Sequence, residues 1–206
     1  MTEKKIKIAV SAIVLIAMVL FRVLEPAADT ADMFSMILAV VVVSVFLFRF
    51  PLTIYLPAMV FLVLAGAGSI YLMYDKLPGW DRFVHYFSGV VLGAVGYTAM
   101  SYLLRWRGLP QDRVLLFLAA FVFAGMCAGA WEIGEFSADQ LFGMEVQHGN
   151  TDTMGDIVCG FLGGLTFCAG MFIWQRLSAG GRRRRHTEPK KNMRKKSRSK
   201  SFSIWN

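Results

Sequence analysis

Apolar residues along this chain fall into long, nearly uninterrupted blocks; they do not alternate, and they do not recur only every third or fourth position. The blocks lie at about 8–24, 33–48, 52–74, 83–104, 114–134 and 155–175, and each approaches the roughly 20 apolar residues that a membrane-spanning helix needs. The pattern predicts an all-α polytopic membrane helical bundle of about six transmembrane helices over 1–175, followed by a disordered basic tail over 176–206. The second block is short unless it draws in Asp32 or Arg49. The first resembles a cleavable signal in having Lys4, Lys5 and Lys7 ahead of it and the small residues Pro26-Ala27-Ala28 behind. It is long for a signal and no clean A-x-A follows, so a retained helix is the preferred reading. Pro57 predicts a kink in the third helix.

Composition excludes an ordinary soluble domain. The chain is 56% hydrophobic and only 17% charged, against the roughly 25% charge usual for soluble proteins. The formal net charge of +8 is a property of the tail: residues 176–206 hold 12 Lys and Arg against one acid, Glu188, which leaves the rest of the chain at −3. With six spans, Lys4, Lys5, Lys7, Arg49, Arg105, Arg107 and Arg113 share one side with the tail, and only Lys76, Arg82 and Arg22 lie towards the other. The positive-inside rule then places both termini in the cytoplasm. Eleven of the 14 acids, Glu25, Asp29, Asp32, Asp75, Asp81, Glu132, Glu135, Asp139, Glu145, Asp152 and Asp156, gather on the outer side. The bilayer is the first expected partner. Basic residues over 182–200 are expected to meet anionic lipid headgroups, at roughly 1 kcal/mol each, with Phe202, Ile204 and Trp205 dipping into the interface. No folded nucleic-acid reader accompanies the charge, so nucleic acid is the less favoured partner. Cys127, Cys159 and Cys168 lie inside apolar blocks without paired spacing and read as small buried hydrophobes.

The last three blocks differ in texture from the first three. They carry Gly89-x-x-x-Gly93, Gly125-x-x-x-Gly129 and Gly160-x-x-x-Gly164, and small residues four apart let helix backbones approach closely in lipid. The fourth, fifth and sixth helices are therefore expected to form the inner bundle. The same helices carry the unusual polar residues, all at their outer ends. Asp81 and His85 are four apart, Glu132 and Glu135 three apart, and Asp152 and Asp156 four apart, with His148 just before them. Ionisable groups at membrane depth are costly and persist where they pair, bind an ion or line a wet cavity.

Two chemistries suit such a constellation. Asp81, His85, Glu132, Glu135, Asp152 and Asp156 offer imidazole nitrogen and carboxylate oxygen to a divalent metal cation of unspecified identity. His85, Glu132 and Asp156 are alternatively candidates for general acid–base catalysis, because crowded carboxylates in a poorly hydrated pocket cannot all ionise. Either would act on a lipid or cell-envelope substrate facing outward. The same groups could serve a small transporter or ion-binding module, or simply lock three helices together. Structural readings exist for each: Asp81 as a helix cap, His85 as a hydrogen-bonded interface residue, Glu135, Asp139 and Glu145 as solvated loop residues, Asp152 and Asp156 as caps of the sixth helix. Phe87-Ser88-Gly89 lacks the surroundings of a rhomboid nucleophile, Glu132 and Glu135 are not the adjacent pair of CAAX-type proteases, and no P-loop or HExxH is present.

In order, Asp81-Arg82-x-x-His85-x-x-x-Gly89, Glu132-x-x-Glu135 and Asp152-Thr153-x-x-Asp156 with Gly160 and Gly164 resemble the YjdF-like family of uncharacterised bacterial inner-membrane proteins. A looser resemblance runs to the VanZ-like membrane proteins. The match covers about residues 81–164, and the segment from Gln147 to Thr151 departs from the family pattern. The resemblance implies a multi-pass protein of the bacterial inner membrane with no established reaction.

Overall fold

The computed structural model describes residues 2–24, 30–70, 73–144 and 146–200. The described residues are helical apart from turns and connecting segments. In order they form α1 (Glu3–Leu24), α2 (Thr30–Leu47), α3 (Leu52–Ile70), the short α4 (Met73–Lys76), α5 (Trp80–Trp106), α6 (Arg113–Phe142) and α7 (Asn150–Lys200). Pro26-Ala27-Ala28, Glu145, Phe202, Ile204 and Trp205, and the side chains of Asp32, Asp75 and the tail basic residues from Arg182 onward, lie outside the described residues.

Among the described residues, three helices are long and apolar enough to cross a membrane: Trp80–Trp106, Arg113–Phe142 and Asn150–Ser178. Met33–Leu47 and Leu52–Gly68 are apolar but shorter, and Lys4, Lys5 and Lys7 occupy the first turns of α1. The expected third span, 52–74, is divided: α3 ends at Ile70 and α4 begins at Met73. Pro57 lies inside α3.

The later helices run beyond their apolar blocks because polar residues do not break a helix that has local bonds to satisfy it. Helix α6 starts where Asp112 accepts a hydrogen bond from the Leu115 amide at 2.8 Å, and it ends at Gly143, whose φ of 65° suits a left-handed cap. Glu135 and Asp139 are therefore helical and not loop residues, and the connection to α7 is only 143–149. Asp81 is not the cap of α5. Gly79 holds that position with φ 83°, and Asp81 lies in the first turn. Asp152 likewise lies in the first turn of α7, with Asp156 one turn further along. The backbone of α7 is helical to Lys200, where composition argues for a disordered tail.

The chain divides into two compact units, one ending at Cys168 and one beginning at Ala169. The first unit holds two packing regions. In one, Val14 and Met18 of α1, Val40 and Leu47 of α2, and Ile54, Tyr55, Ala58, Met59 and Leu62 of α3 form a core joined by Val91 and Val95 of α5. A buried polar knot closes one end of it. Lys7 Nζ donates to the carbonyls of Phe48 (3.0 Å) and Phe50, pairs with Glu3 at 3.4 Å, and lies over the Phe48 and Tyr55 rings. These two carbonyls belong to the turn that follows α2, and the ammonium satisfies them where no helix continues. Glu3 in turn accepts from the Leu52 amide at 2.7 Å at the start of α3, and Ser11 hydrogen-bonds both Ser44 and Tyr55. Helix α1 is thus packed into the bundle as an integral element. In the second unit, the Arg176 guanidinium lies over the Phe172 ring at 5.0 Å.

The other region is the α5–α6–α7 contact, where backbones meet. A Cβ on Gly89 would overlap the Gly160 carbonyl oxygen, and one on Gly163 would overlap the Tyr86 carbonyl. Gly160 also faces Ala128 Cβ, Gly164 faces Ala124 Cβ, and Gly96 faces the Ala119 carbonyl. The expected inner bundle is therefore present, although Gly129, half of one expected motif, faces open space. Large apolar side chains such as Val114 and Val45 remain about three-quarters exposed (75% and 74%), which is the surface expected of helices whose solvent is lipid.

Candidate functional site

The three-way contact of Gly89, Ala128 and Gly160 places the site. His85, Glu132 and Asp156 each lie four residues, one helical turn, from one of these positions in the direction of the same bundle end. All three are buried, at 8%, 3% and 2% exposure. His85 Nε2 lies 3.5 Å from Asp81 Oδ1 and 3.9 Å from Glu132 Oε1. One ligand atom each from Asp81, His85 and Asp156 lies within 4.8 Å of the others. Glu132 Oε1 and Asp156 Oδ1 are buried without a hydrogen-bond partner. Buried acceptors are nearly always satisfied, so two orphaned carboxylate oxygens on neighbouring helices mark a position where a cation or a proton belongs.

Asp81, His85, Glu132 and Asp156 are thus drawn together, while the remaining candidates stand around them. Glu135 is half-buried and accepts a hydrogen bond from Trp131 Nε1 at 2.8 Å. Asp152 faces His148 at 3.9 Å, and the His148 side chain is largely exposed. Asp152 still acts electrostatically on Asp81 and Asp156. The exposed Arg82 guanidinium lies beside the Gly155 backbone, and its charge acts on both Asp81 and Asp156.

Four contributors were not legible from spacing. Tyr74 of α4 packs its ring against Gly68. The Asp81, Glu135 and Asp156 carboxylates lie close enough to act on its phenol, whose hydroxyl is a donor at neutral pH. Asp139 accepts from the Val146 and Gln147 amides at 2.9 and 3.0 Å and pins the connection to the end of α6. Gln147 Nε2 donates to Thr153 Oγ1 at 3.1 Å, and the Thr153 hydroxyl is within side-chain hydrogen-bonding reach of Glu132. The only sequence signal for these was the Asp152-Thr153-x-x-Asp156 motif, which names Thr153 without giving it a role.

The imidazole and two carboxylates of Asp81, His85 and Asp156 can hold one divalent cation, with Glu132 standing beside His85. Mixed imidazole and carboxylate donors are compatible with several first-row metals.

The profile of a family described as predicted membrane protein (DUF2238) matches residues 6–177. The chain belongs to the DUF2238 family of predicted membrane proteins. An uncharacterised protein of Thermotoga maritima is 29% identical over 117 residues, 52% of this chain and 59% of that one. The chain therefore aligns with about three-fifths of that relative's length. No solved structure matches.

Proposed function

We propose that this DUF2238 member binds a divalent cation at the shared end of α5, α6 and α7, through Asp81, His85, Asp156 and Glu132. The observation that carries the reading is the pair of buried, unpartnered oxygens, Glu132 Oε1 and Asp156 Oδ1, beside His85. Left ionised without a counter-charge, such a group costs several kcal/mol per ion, on the order of the penalty for any buried unpaired charge. Glu135 and Asp152 add negative potential at the rim and attract the ion. On this reading Tyr74 offers a proton donor, exposed Arg82 a cation beside the Gly155 backbone, and Trp131, 61% exposed, an aromatic ring beside Glu135. That combination suits a membrane-embedded lipid or envelope substrate. His85, Glu132 and Asp156 are the groups that would bind the ion and move protons.

Metal analysis of the detergent-purified protein tests the site. Wild type is expected to retain about one divalent ion per chain after dialysis, and His85→Ala to retain at least tenfold less. Wild-type protein that neither retains metal nor takes it up from added Zn²⁺ or Mn²⁺ would remove the reading.

The YjdF-like assignment, the bacterial inner membrane and the six-span arrangement with cytoplasmic termini belong to the same proposal, supported by the Lys and Arg asymmetry. The 143–149 connection then faces outward. A His148→Cys variant with Cys127, Cys159 and Cys168 replaced by Ala is expected to react with an impermeant maleimide in intact cells. Reaction only after lysis would reverse the topology.

A further inference from the structure

The cation site has a supporting arm that reaches it from the α6–α7 connection. The connection leaves α6 at Gly143 and enters α7 after Gly149, with φ of 65° and 97° at the two glycines. Between them, both carboxylate oxygens of Asp139 accept backbone amides, from Val146 and Gln147. This fixes the backbone from which the Gln147 side chain extends. The Gln147 amide then donates to Thr153 Oγ1 at 3.1 Å.

Donor and acceptor capacity decides what Thr153 does next. Its hydroxyl has one proton and two lone pairs, and Gln147 Nε2–H occupies the acceptor side. The Thr153 proton is left for another acceptor, and the Glu132 carboxyl group is the acidic group within its reach. Glu132 sits on α6, two turns before Asp139, so the chain of contacts leaves α6, crosses the connection to α7 and returns to α6. A carboxylate held through one oxygen presents the other in a fixed direction. In Glu132 the oxygen near His85 Nε2, Oε1, is the one without a partner.

We infer that Thr153, itself held by Gln147, is a positioning residue that aims Glu132 Oε1 into the cation site. The inference rests on the cation reading above, and it assigns a role to the connection that sequence spacing left blank. Partners that orient metal ligands commonly change affinity about 10- to 100-fold when removed.

Mn²⁺ binding to the full-length protein in detergent, read by electron paramagnetic resonance, tests it. Thr153→Val keeps the shape of the side chain and removes the hydroxyl; it is expected to weaken Mn²⁺ binding at least tenfold while the metal-free melting temperature stays that of wild type. Thr153→Ser restores the hydroxyl and is expected to bind within about threefold of wild type. Gln147→Ala is expected to fall between the two. The serine rescue is the readout a purely structural threonine would not give. If Thr153→Val fails to fold, the Gln147→Ala and Thr153→Ser affinities decide. Wild-type affinity in Thr153→Val or Gln147→Ala, or no rescue by Thr153→Ser, overturns the positioning role while Glu132→Gln still reports on the site. Absence of Mn²⁺ binding by wild type overturns the site and the positioning role together.

Discussion

Gly163→Val is expected to prevent the protein from accumulating as a folded monodisperse species in detergent, whereas Gly129→Ala is expected to be silent. A Cβ at Gly163 would overlap the Tyr86 carbonyl and crowd the Val90 amide nitrogen. Both are backbone atoms of α5, so no flexible side chain can yield and α7 must move away. Overpacking ordinarily costs about 1–3 kcal/mol, and a clash of backbone against backbone belongs at the top of that range or beyond it. Close helix approach is also the main source of cohesion between helices in lipid, where burial of apolar surface contributes little. At Gly129 an added methyl meets nothing within 4 Å, so its effect is limited to helix propensity, at most about 1 kcal/mol in the favourable direction. Size-exclusion profiles and thermal melts of the two variants read the difference. Equal behaviour would mean that the α5–α7 contact is looser than these glycines imply. Because His85 and Asp156 each lie one turn from Gly89 and Gly160, a partly folded Gly163→Val protein should also lose cation binding.

The same geometry explains what could be read in advance. Long apolar blocks and Gly-x-x-x-Gly spacing follow directly from the physics of lipid as a solvent, so the helices, the α5–α6–α7 contact and the shared bundle end of His85, Glu132 and Asp156 were legible. Helix ends were not. Glu135 and Asp139 look like loop residues by polarity, yet α6 carries them until Gly143 permits a left-handed cap. Asp81 has the chemistry of a cap, yet Gly79 holds the cap position. Which acids share the centre depends on helix rotation, and a few tens of degrees send Glu135 to Trp131 and Glu132 to His85. Tyr74 reaches the site through packing and no local pattern marks it; Thr153 stands in the Asp152-Thr153-x-x-Asp156 motif, but its partner Gln147 is outside any motif. Buried Lys7 was read as part of a charge signal for topology; its contacts with the Phe48 and Phe50 carbonyls are tertiary, formed with the turn after α2.

Glu132→Gln separates a working cation site from a cluster that merely holds helices together. The substitution preserves volume and hydrogen-bonding capacity and deletes one buried charge. In wild type a divalent cation at about a hundredfold excess over its dissociation constant should stabilise the fold by about 2.7 kcal/mol. For a chain of this size that corresponds to a rise of roughly 5–10 °C in the thermal midpoint. The variant should lose most of that rise, because the site is left with two carboxylates and an imidazole, and the remaining amide oxygen is a weaker ligand. Without metal the order is expected to reverse. Glu132 Oε1 has no partner in the buried interior, so a neutral amide there should leave the metal-free protein as stable as wild type or more so. Thermal melts in detergent, with and without Zn²⁺ or Mn²⁺, on both proteins give four midpoints that decide the matter. A metal-dependent rise in wild type that is absent in Glu132→Gln supports the cation site. No rise in wild type, together with a more stable variant, would leave the carboxylates as protonated packing groups and withdraw both the metal and its chemistry.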